Sequence, residues 1–178
     1  PDPAMASQNG GIGSGLPRVL ILGHSFIWRL EEYCARTGRY DMNLRRCQIA
    51  FEGLSGGTVD SIIQHAIMAP NSIVRSFRPQ IVVLQSGGND LCHQNRRPET
   101  VGLHMTDMVD LLLEQFGVEQ AIVCEVFRRP SPRFITSIQY ACKLDLANMY
   151  IDTVIDTTQG ARFWEHRRLT HATVEVFG

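Results

Sequence analysis

The sequence VLILGHSFIWRL, residues 19–30, places a serine where an apolar run passes into a helix-forming segment. The run at 18–22 is typical of a strand that is buried on both faces of a sheet. After it, apolar side chains recur at helical spacing on one side of the chain, at Phe26, Leu30 and Cys34 or Tyr33. Ser25 therefore stands at a strand-to-helix junction, where a serine either caps the helix or acts as a nucleophile.

The alternation of strand and helix continues along the rest of the chain. Further strands are predicted at 43–51, 81–84, 121–126 and 153–156. Helices between them are marked by a cap at Thr58 and by apolar residues at helical spacing: Ile62, Ile63, Ala66, Ile67, then Val101, Met105, Met108, Leu112, Phe116, then Ile135, Ile138, Cys142, Met149. Because hairpin signals are absent, this order predicts an α/β fold with a mainly parallel five-stranded sheet covered by helices on both faces.

Length and composition favour one globular domain. The chain has 178 residues, 44% of them hydrophobic, which is enough for one core and short for two ordinary domains. We assign residues 18–178 to this domain. Residues 1–17 (PDPAMASQNGGIGSGLP) lack hydrophobic periodicity, and we interpret them as a flexible N-terminal arm or, in part, a cloning remnant.

Charge, cysteine usage and glycine pattern argue against several other classes of protein. A formal net charge of -1 gives no global attraction to nucleic acid or to a membrane surface. The five cysteines are scattered and lack zinc-site spacing, which is typical of reduced thiols in an intracellular, cytoplasmic protein. No apolar run has the length of a membrane span, and no dinucleotide-binding glycine motif follows the first strand.

Three loops that follow predicted strands carry the residue types that ester hydrolysis needs. Their sequences are GHS at 23–25, GLSGGT at 53–58 and GGND at 87–90. Because the carboxyl ends of parallel strands meet at one edge of a sheet, we expect these loops to converge. Ser25 would supply the nucleophile, while its own N–H, the Gly56 N–H and the Asn89 amide would donate to the developing oxyanion.

Each of these residues also has a purely structural interpretation. A serine at the start of a helix, taken alone, is more typical of a cap than of a nucleophile. Gly56 and Gly57 suit a tight turn, and an Asn89-Asp90 pair is common in turns. The occurrence of all three loops in order, each after a predicted strand, favours the catalytic interpretation.

The order of these blocks resembles the SGNH hydrolase superfamily, also called the GDSL esterase and lipase family, over nearly all of 18–178. The loop at 23–25 stands where the family has Gly-Asp-Ser, 54–58 resembles its second block, and 88–90 resembles its third. The resemblance implies a three-layer α/β/α, flavodoxin-like fold with Ser25 as nucleophile and with Gly56 and Asn89 as oxyanion donors. It further implies cleavage of a small-molecule carboxylic ester of an acetyl or short acyl group, through an acyl-serine intermediate and without a metal or organic cofactor.

The combination of GHSF with a later GGND is also similar to SGNH domains of animal mobile-element proteins such as those of retrotransposons. This similarity supports a second interpretation, a catalytically weak or inactive module on the same fold that binds lipid, protein or nucleic acid. The sequence does not indicate an oligomeric state.

Two departures from the family pattern bear on catalysis. His24 replaces the usual acidic residue before the serine. The family's late Asp-x-x-His block, which supplies the orienting acid and the general base, does not follow the last predicted strand, so we expect that block beyond Gly178.

Histidines within the chain are alternative candidates for the base. His166 and His171 follow the last predicted strand, with Glu165 or Glu175 as the residue that would orient the ring. The literal Asp-x-x-His at 90–93 lies on the wrong loop for this role.

Further side chains are expected near the substrate. His24 is interpreted as structural or substrate-facing, because neighbouring side chains at a strand-to-helix turn point apart. Gly57, in the second block, is also expected to face the substrate. Arg128, in a cluster with Arg129 and Arg133 after the fourth strand, would rim the pocket and attract an anionic substrate or nucleic acid, the alternative being solvated loop charge.

Overall fold

The computed structural model describes residues 15–166. Within them, one sheet contains five strands: β1 (Arg18–His24), β2 (Gln48–Leu54), β3 (Ile81–Gln85), β4 (Gln120–Cys124) and β5 (Ala161–Trp164). The strand order is β2-β1-β3-β4-β5, and every neighbouring pair is parallel. The predicted parallel five-stranded α/β fold is confirmed.

Helices connect successive strands. They are α1 (Ser25–Thr37), α2 (Val59–Ile62) continued by a π-helical segment (Ile63–Met68), α3 (Ile73–Phe77), α4 (Gly88–Leu91), α5 (Pro98–Asp110) continued by a second π-helical segment (Leu111–Gln115), and α6 (Ser137–Ile155). Thr58 caps α2 as predicted, since its hydroxyl accepts the Ser61 N–H at 3.3 Å. In the described part of the chain, no helix has both the length and the apolar character needed to cross a membrane.

The main core lies on one face of the sheet. Alternate residues of the three central strands are buried there: Leu20, Leu22, Val82, Leu84, Ala121 and Val123. They pack in one cluster with buried residues of α2, α5 and α6, among them Ile62, Met105 and Leu144. Helix α1 covers the opposite face, where Ile27 packs beside Gly23 of β1. The molecule therefore has the expected three layers.

Two predicted strands differ from those in the structure. β2 begins at Gln48 because Met42 and Asn43 adopt left-handed backbone (φ 49° and 62°) and the Asp41 carboxylate accepts the Asn43 N–H at 2.9 Å, which forms a turn. The prediction of a strand at 153–156 was wrong, because 153–155 form the last turn of α6. The fifth strand is β5.

The length of α6 follows from its buried stripe, which differs from the predicted one. The buried residues are Tyr140, Leu144, Ala147, Ile151 and Ile155. Ile138 and Met149, expected on the core face, are 78% and 62% exposed. The helix carries two apolar stripes, and only packing against α5 and the sheet selects between them. Burial of Ile155 also keeps the β-branched residues at its end helical.

Helix α1 likewise buries a different stripe from the one predicted. Ile27 and Cys34 face the sheet, whereas Phe26 and Leu30 are half-buried and Tyr33 is exposed. Cys34 is a buried free cysteine, whereas Cys142 is an exposed one. The rotation of α1 is set by its close contact with Gly23 of β1 and Gly53 of β2.

Substituting Gly53 tests how closely α1 rests on the sheet. A Cβ on Gly53 would lie 2.1 Å from the Trp28 backbone nitrogen and 2.5 Å from its Cα. Because backbone cannot yield as a side chain can, we expect Gly53→Ala to lower the free energy of unfolding by about 3 kcal/mol in urea titrations. Gly15→Ala is the control, since nothing lies within 4 Å of its added Cβ. Equal stability of the two variants would contradict this packing.

Candidate active site

The loops after β1, β2 and β3 meet at the carboxyl edge of the sheet, as the sequence predicts. In the parallel register, His24 lies opposite Leu54 of β2, and Gly23 lies opposite Gln85 of β3. Ser25 follows β1 directly, and Gly56 comes two residues after the end of β2. The structure thus brings the three predicted blocks to one edge, while the catalytic role of each residue stays a prediction.

Gly23 permits the close approach that positions Ser25. A Cβ at Gly23 would lie 2.1 Å from the Gln85 carbonyl oxygen and 2.8 Å from Ile27 Cγ1. The end of β1 is therefore held between the backbone of β3 and helix α1. Position 23 was noted in the sequence only as part of a motif. The signal for its packing role is a glycine at the end of a buried strand.

His24 is the N-cap of α1. Its backbone is extended (φ −89°, ψ −161°), and its Nδ1 accepts the Phe26 N–H at 3.2 Å. The side chain is 5% exposed. Burial, aided by the positive charge of Arg129, lowers the pKa of His24 from 6.5 to about 4. At pH 7 the ring is therefore neutral, with its proton on Nε2, and it serves as the acceptor that a capping carboxylate would otherwise be.

Ser25 is consequently not the cap. It is the first residue of α1, half-buried, and its hydroxyl makes no hydrogen bond to any residue in the range 15–166. As the first helical residue, its backbone N–H belongs to the group that has no acceptor within the helix. The interpretation of Ser25 as a helix cap is therefore wrong. A substrate-facing role for His24 stays a prediction.

The second loop presents one backbone donor and uses another. Gly56 adopts left-handed backbone (φ 71°), is exposed, and its N–H donates to none of the described residues. Gly57 is buried, and its N–H donates to the Leu54 carbonyl at 2.9 Å. The turn interpretation and the donor interpretation of Gly56 are therefore compatible.

Asn89 joins the third loop to the second. Its Nδ2 donates one hydrogen to the Gly57 carbonyl oxygen at 2.7 Å, which leaves the second amide hydrogen for another acceptor. Asn89 lies in the short helix α4, so the simple turn proposed for Asn89-Asp90 is wrong. The hydrogen bond holds the amide at a fixed distance from the turn that carries Gly56.

Asp90 makes a second connection between the same two loops. Its carboxylate is 1% exposed and accepts the Val59 N–H, at the start of α2, at 3.1 Å. Burial raises the pKa of this carboxyl, and the hydrogen bond from the Val59 backbone opposes that rise. The Asp90 carboxylate is thus engaged in joining the two loops. This contact is consistent with the prediction that Asp90 and His93 are not the catalytic pair.

His166 lies at the same edge, just after β5. Its backbone N–H donates to the Glu125 carboxylate at 3.1 Å, and its ring stacks on Phe127 with centroids 4.4 Å apart. Phe127 in turn packs against Phe26, the neighbour of Ser25, with ring centroids 5.0 Å apart. Nε2 of His166 is buried and has no hydrogen-bond partner among the described residues. Burial lowers the pKa of His166, and Glu125 partly offsets the effect, so the ring is neutral at pH 7.

The other candidates for the base are differently placed. His171 and Glu175 lie outside the described residues. Glu165 is exposed beside His166. His93 is exposed and stacks on Phe134 with centroids 5.0 Å apart. Nowhere in residues 15–166 do three His, Cys, Asp or Glu side chains gather in a way that could hold a metal ion.

The arginines after β4 diverge. Arg128 is exposed and lies 3.8 Å from the Asp145 carboxylate on α6. Arg129 is half-buried, and its guanidinium lies against Gly88 and the Tyr140 hydroxyl. The sequence singled out Arg128 as the substrate-facing member of the cluster, but the side chain that points toward the predicted site is Arg129. Adjacent arginines cannot be told apart by sequence, because the direction of each depends on the loop backbone.

Known proteins resemble this chain in structure rather than in sequence. No protein-family model matches it, and no curated protein matches it. A GDSL-like lipase from Bacteroides thetaiotaomicron superimposes with a TM-score of 0.67 at 16% identity, over 83% of this chain and 67% of its own. Psychrotrophic esterase EstA from Pseudoalteromonas, inhibited by monoethylphosphonate, gives 0.60 at 16% identity, over 85% and 78%. The lipase/acylhydrolase from Enterococcus faecalis gives 0.56 at 13% identity, over 91% of each chain.

These similarities confirm the predicted fold class. The chain has the three-layer α/β fold of GDSL-like lipases and acylhydrolases, and it spans about two thirds of the length of the Bacteroides protein. At such low identities the likeness concerns the fold alone.

The neutral, buried state of His24 predicts a pH effect on stability. As the pH falls from 7 to 4.5, the unfolded chain protonates His24 near pH 6.5 while the folded chain does not, so stability falls by about 2 to 3 kcal/mol. His24→Asn keeps a capping acceptor but cannot titrate, and its stability should therefore fall less over this range in urea titrations. His93→Asn, at an exposed histidine, is the control. Parallel pH curves for wild type and His24→Asn would contradict the assignment.

Proposed function

We propose that this protein is a serine hydrolase of the SGNH type that cleaves a carboxylic ester, with Ser25 as the nucleophile. The observation that carries the proposal lies at the start of α1. There His24 caps the helix, and the Ser25 hydroxyl makes no hydrogen bond to any of the described residues. The proposal is supported by structural neighbours that include a GDSL-like lipase, an esterase and a lipase/acylhydrolase.

The reaction follows from the groups at the carboxyl edge. Ser25 Oγ attacks the ester carbonyl carbon while a base accepts the hydroxyl proton. The tetrahedral intermediate collapses to an acyl-serine, and the alcohol leaves with that proton. A water molecule then attacks the acyl-serine, which releases the acid and restores the hydroxyl. These steps require neither a metal nor an organic cofactor.

Three donors would stabilise the negative oxygen of each tetrahedral intermediate. They are the backbone N–H groups of Ser25 and Gly56 and the second amide hydrogen of Asn89. The Asn89–Gly57 hydrogen bond at 2.7 Å supports this arrangement, because it fixes the amide before substrate arrives. Gly56 suits the role because its left-handed turn exposes the N–H with no side chain in front of it.

A histidine would act as the general base. Within the described residues, His166 is favoured because its neutral ring continues the aromatic stack from Phe26 through Phe127. Its unpartnered Nε2 is the kind of acceptor that a base requires. His171, with Glu175 or Glu165 as the orienting residue, is the alternative within this sequence.

The substrate is proposed to be a small molecule esterified with an acetyl or short acyl group. An intracellular, cytoplasmic location and an origin in an animal mobile element rest on the sequence alone. So does the alternative of a binding module for lipid, protein or nucleic acid, which would retain the fold and fail the catalytic tests below.

Removing the Ser25 hydroxyl should abolish turnover. We expect Ser25→Ala to lower kcat/KM for 4-nitrophenyl acetate to the level of buffer, with an unchanged unfolding midpoint, because no described residue depends on this hydroxyl. Ser76→Ala, on α3, is the matched control and should retain activity. Hydrolysis by Ser25→Ala at the wild-type rate would exclude Ser25 as the nucleophile.

Removing the Asn89 amide should slow the chemical step rather than binding. Loss of one oxyanion donor typically lowers kcat by about 100- to 1000-fold, and we expect Asn89→Ala to fall in that range with a smaller change in KM. Asn71→Ala, at an exposed position before α3, controls for loss of an asparagine. A kcat within about threefold of wild type would remove Asn89 from the oxyanion site.

A further inference from the structure

Arg129 brings a positive charge to the edge of the sheet where the proposed nucleophile lies. Its Nε and Nη2 lie 3.3 and 3.4 Å from the position that a Cβ on Gly88 would occupy. Gly88 directly precedes Asn89 and is buried, with the guanidinium close beside it. The charge also reaches His24, the neighbour of Ser25, whose pKa it helps to lower. Arg129 therefore acts on both blocks of the proposed site.

The guanidinium is held in place by neutral groups. The Tyr140 hydroxyl donates to the Phe127 carbonyl at 2.9 Å, and it lies beside the Arg129 guanidinium next to Gly88. Nη1 of Arg129 lies 4.0 Å from Cys92 Sγ. Tyr140 is 1% exposed, so this side of the guanidinium is anchored in the core.

Arg129 has no carboxylate partner within residues 15–166. Its neighbours differ in this respect, because Arg96 pairs with Asp60 at 2.9 Å and Arg128 lies 3.8 Å from Asp145. Partial desolvation of a guanidinium costs free energy that a carboxylate partner commonly offsets, and Arg129 lacks such a partner among the described residues. A fixed, unpaired guanidinium beside a reaction site is suited to a planar or tetrahedral oxyanion.

We propose that Arg129 binds an anionic group of the substrate, and that the preferred ester carries a carboxylate, sulfate or phosphate close to the scissile bond. The inference rests on the proposed function and adds its substrate class. Arg129 would hold the anion by charge-assisted hydrogen bonds from the guanidinium face that Tyr140 and Cys92 leave uncovered. Selectivity for an anionic over a neutral ester would then depend on this one side chain.

The experiment compares matched esters on matched arginine variants. One pair is 4-nitrophenyl hexanoate and mono-4-nitrophenyl adipate, which places the charge on the acyl side. The other is 4-nitrophenyl acetate and 4-acetoxybenzenesulfonate, which places it on the leaving group. The quantity measured is the ratio of kcat/KM for the anionic ester to that for the neutral ester, at pH 7.5 and low salt, for wild type, Arg129→Gln, Arg129→Lys and Arg128→Gln.

In at least one pair, Arg129→Gln should lower this ratio by about ten- to a hundredfold, which is the range for loss of a charge-assisted hydrogen bond. Arg129→Lys should lose less, because it keeps the charge without the planar fork. Arg128→Gln removes the same charge one residue away and should leave the ratio near that of wild type. Thermal melts of each variant separate a change in selectivity from loss of the fold.

Three results would overturn the inference. If Arg129→Gln changes both members of each pair equally while the neutral esters are hydrolysed, Arg129 is not an anion site and the proposed hydrolase stands. If Arg128→Gln lowers the ratio as much as Arg129→Gln, the effect is a general field of the loop. If wild type hydrolyses none of the four esters, the proposed function is wrong, and the inference that rests on it is wrong as well.

Discussion

The close backbone contact between the end of β1 and its neighbours fixes the position of Ser25. Neither Gly23 nor Gly53 has room for a Cβ, because Gln85 of β3 and Trp28 of α1 lie where it would be, each 2.1 Å away. Strand β1 therefore passes into α1 at a single position relative to the sheet. The rotation of α1 and the location of the proposed nucleophile both depend on this contact.

Capping and loop coupling build on that fixed junction. Because His24 accepts the Phe26 N–H, the hydroxyl of the serine that follows is not needed as a cap, so a histidine at position 24 is compatible with the fold. Two hydrogen bonds, from Asn89 to Gly57 and from Val59 to Asp90, tie the second and third loops together. The proposed oxyanion donors are thereby positioned by the scaffold before substrate binds, which is the condition under which such donors are most effective.

The sequence predicted the fold class and the convergence of three loops because both depend on local patterns. Continuous apolar runs indicate buried parallel strands, and the glycine-bearing loops that follow them mark the carboxyl ends of those strands. What it could not predict depends on tertiary packing. The stripe that α6 buries, the helical state of residues 153–155 and the inward direction of Arg129 each follow from neighbours distant in the chain. The capping role of His24 was equally hidden, because histidine is not a typical cap residue and only its burial reveals its neutral state.

Covalent labelling is a direct test of whether the Ser25 hydroxyl is activated. The chain would be incubated with one equivalent of a fluorophosphonate and analysed by intact mass and peptide mapping. If Ser25 is the nucleophile, we expect a single adduct on the peptide that contains Ser25, and none in Ser25→Ala. An unlabelled wild-type protein, or an adduct on another serine, would contradict it.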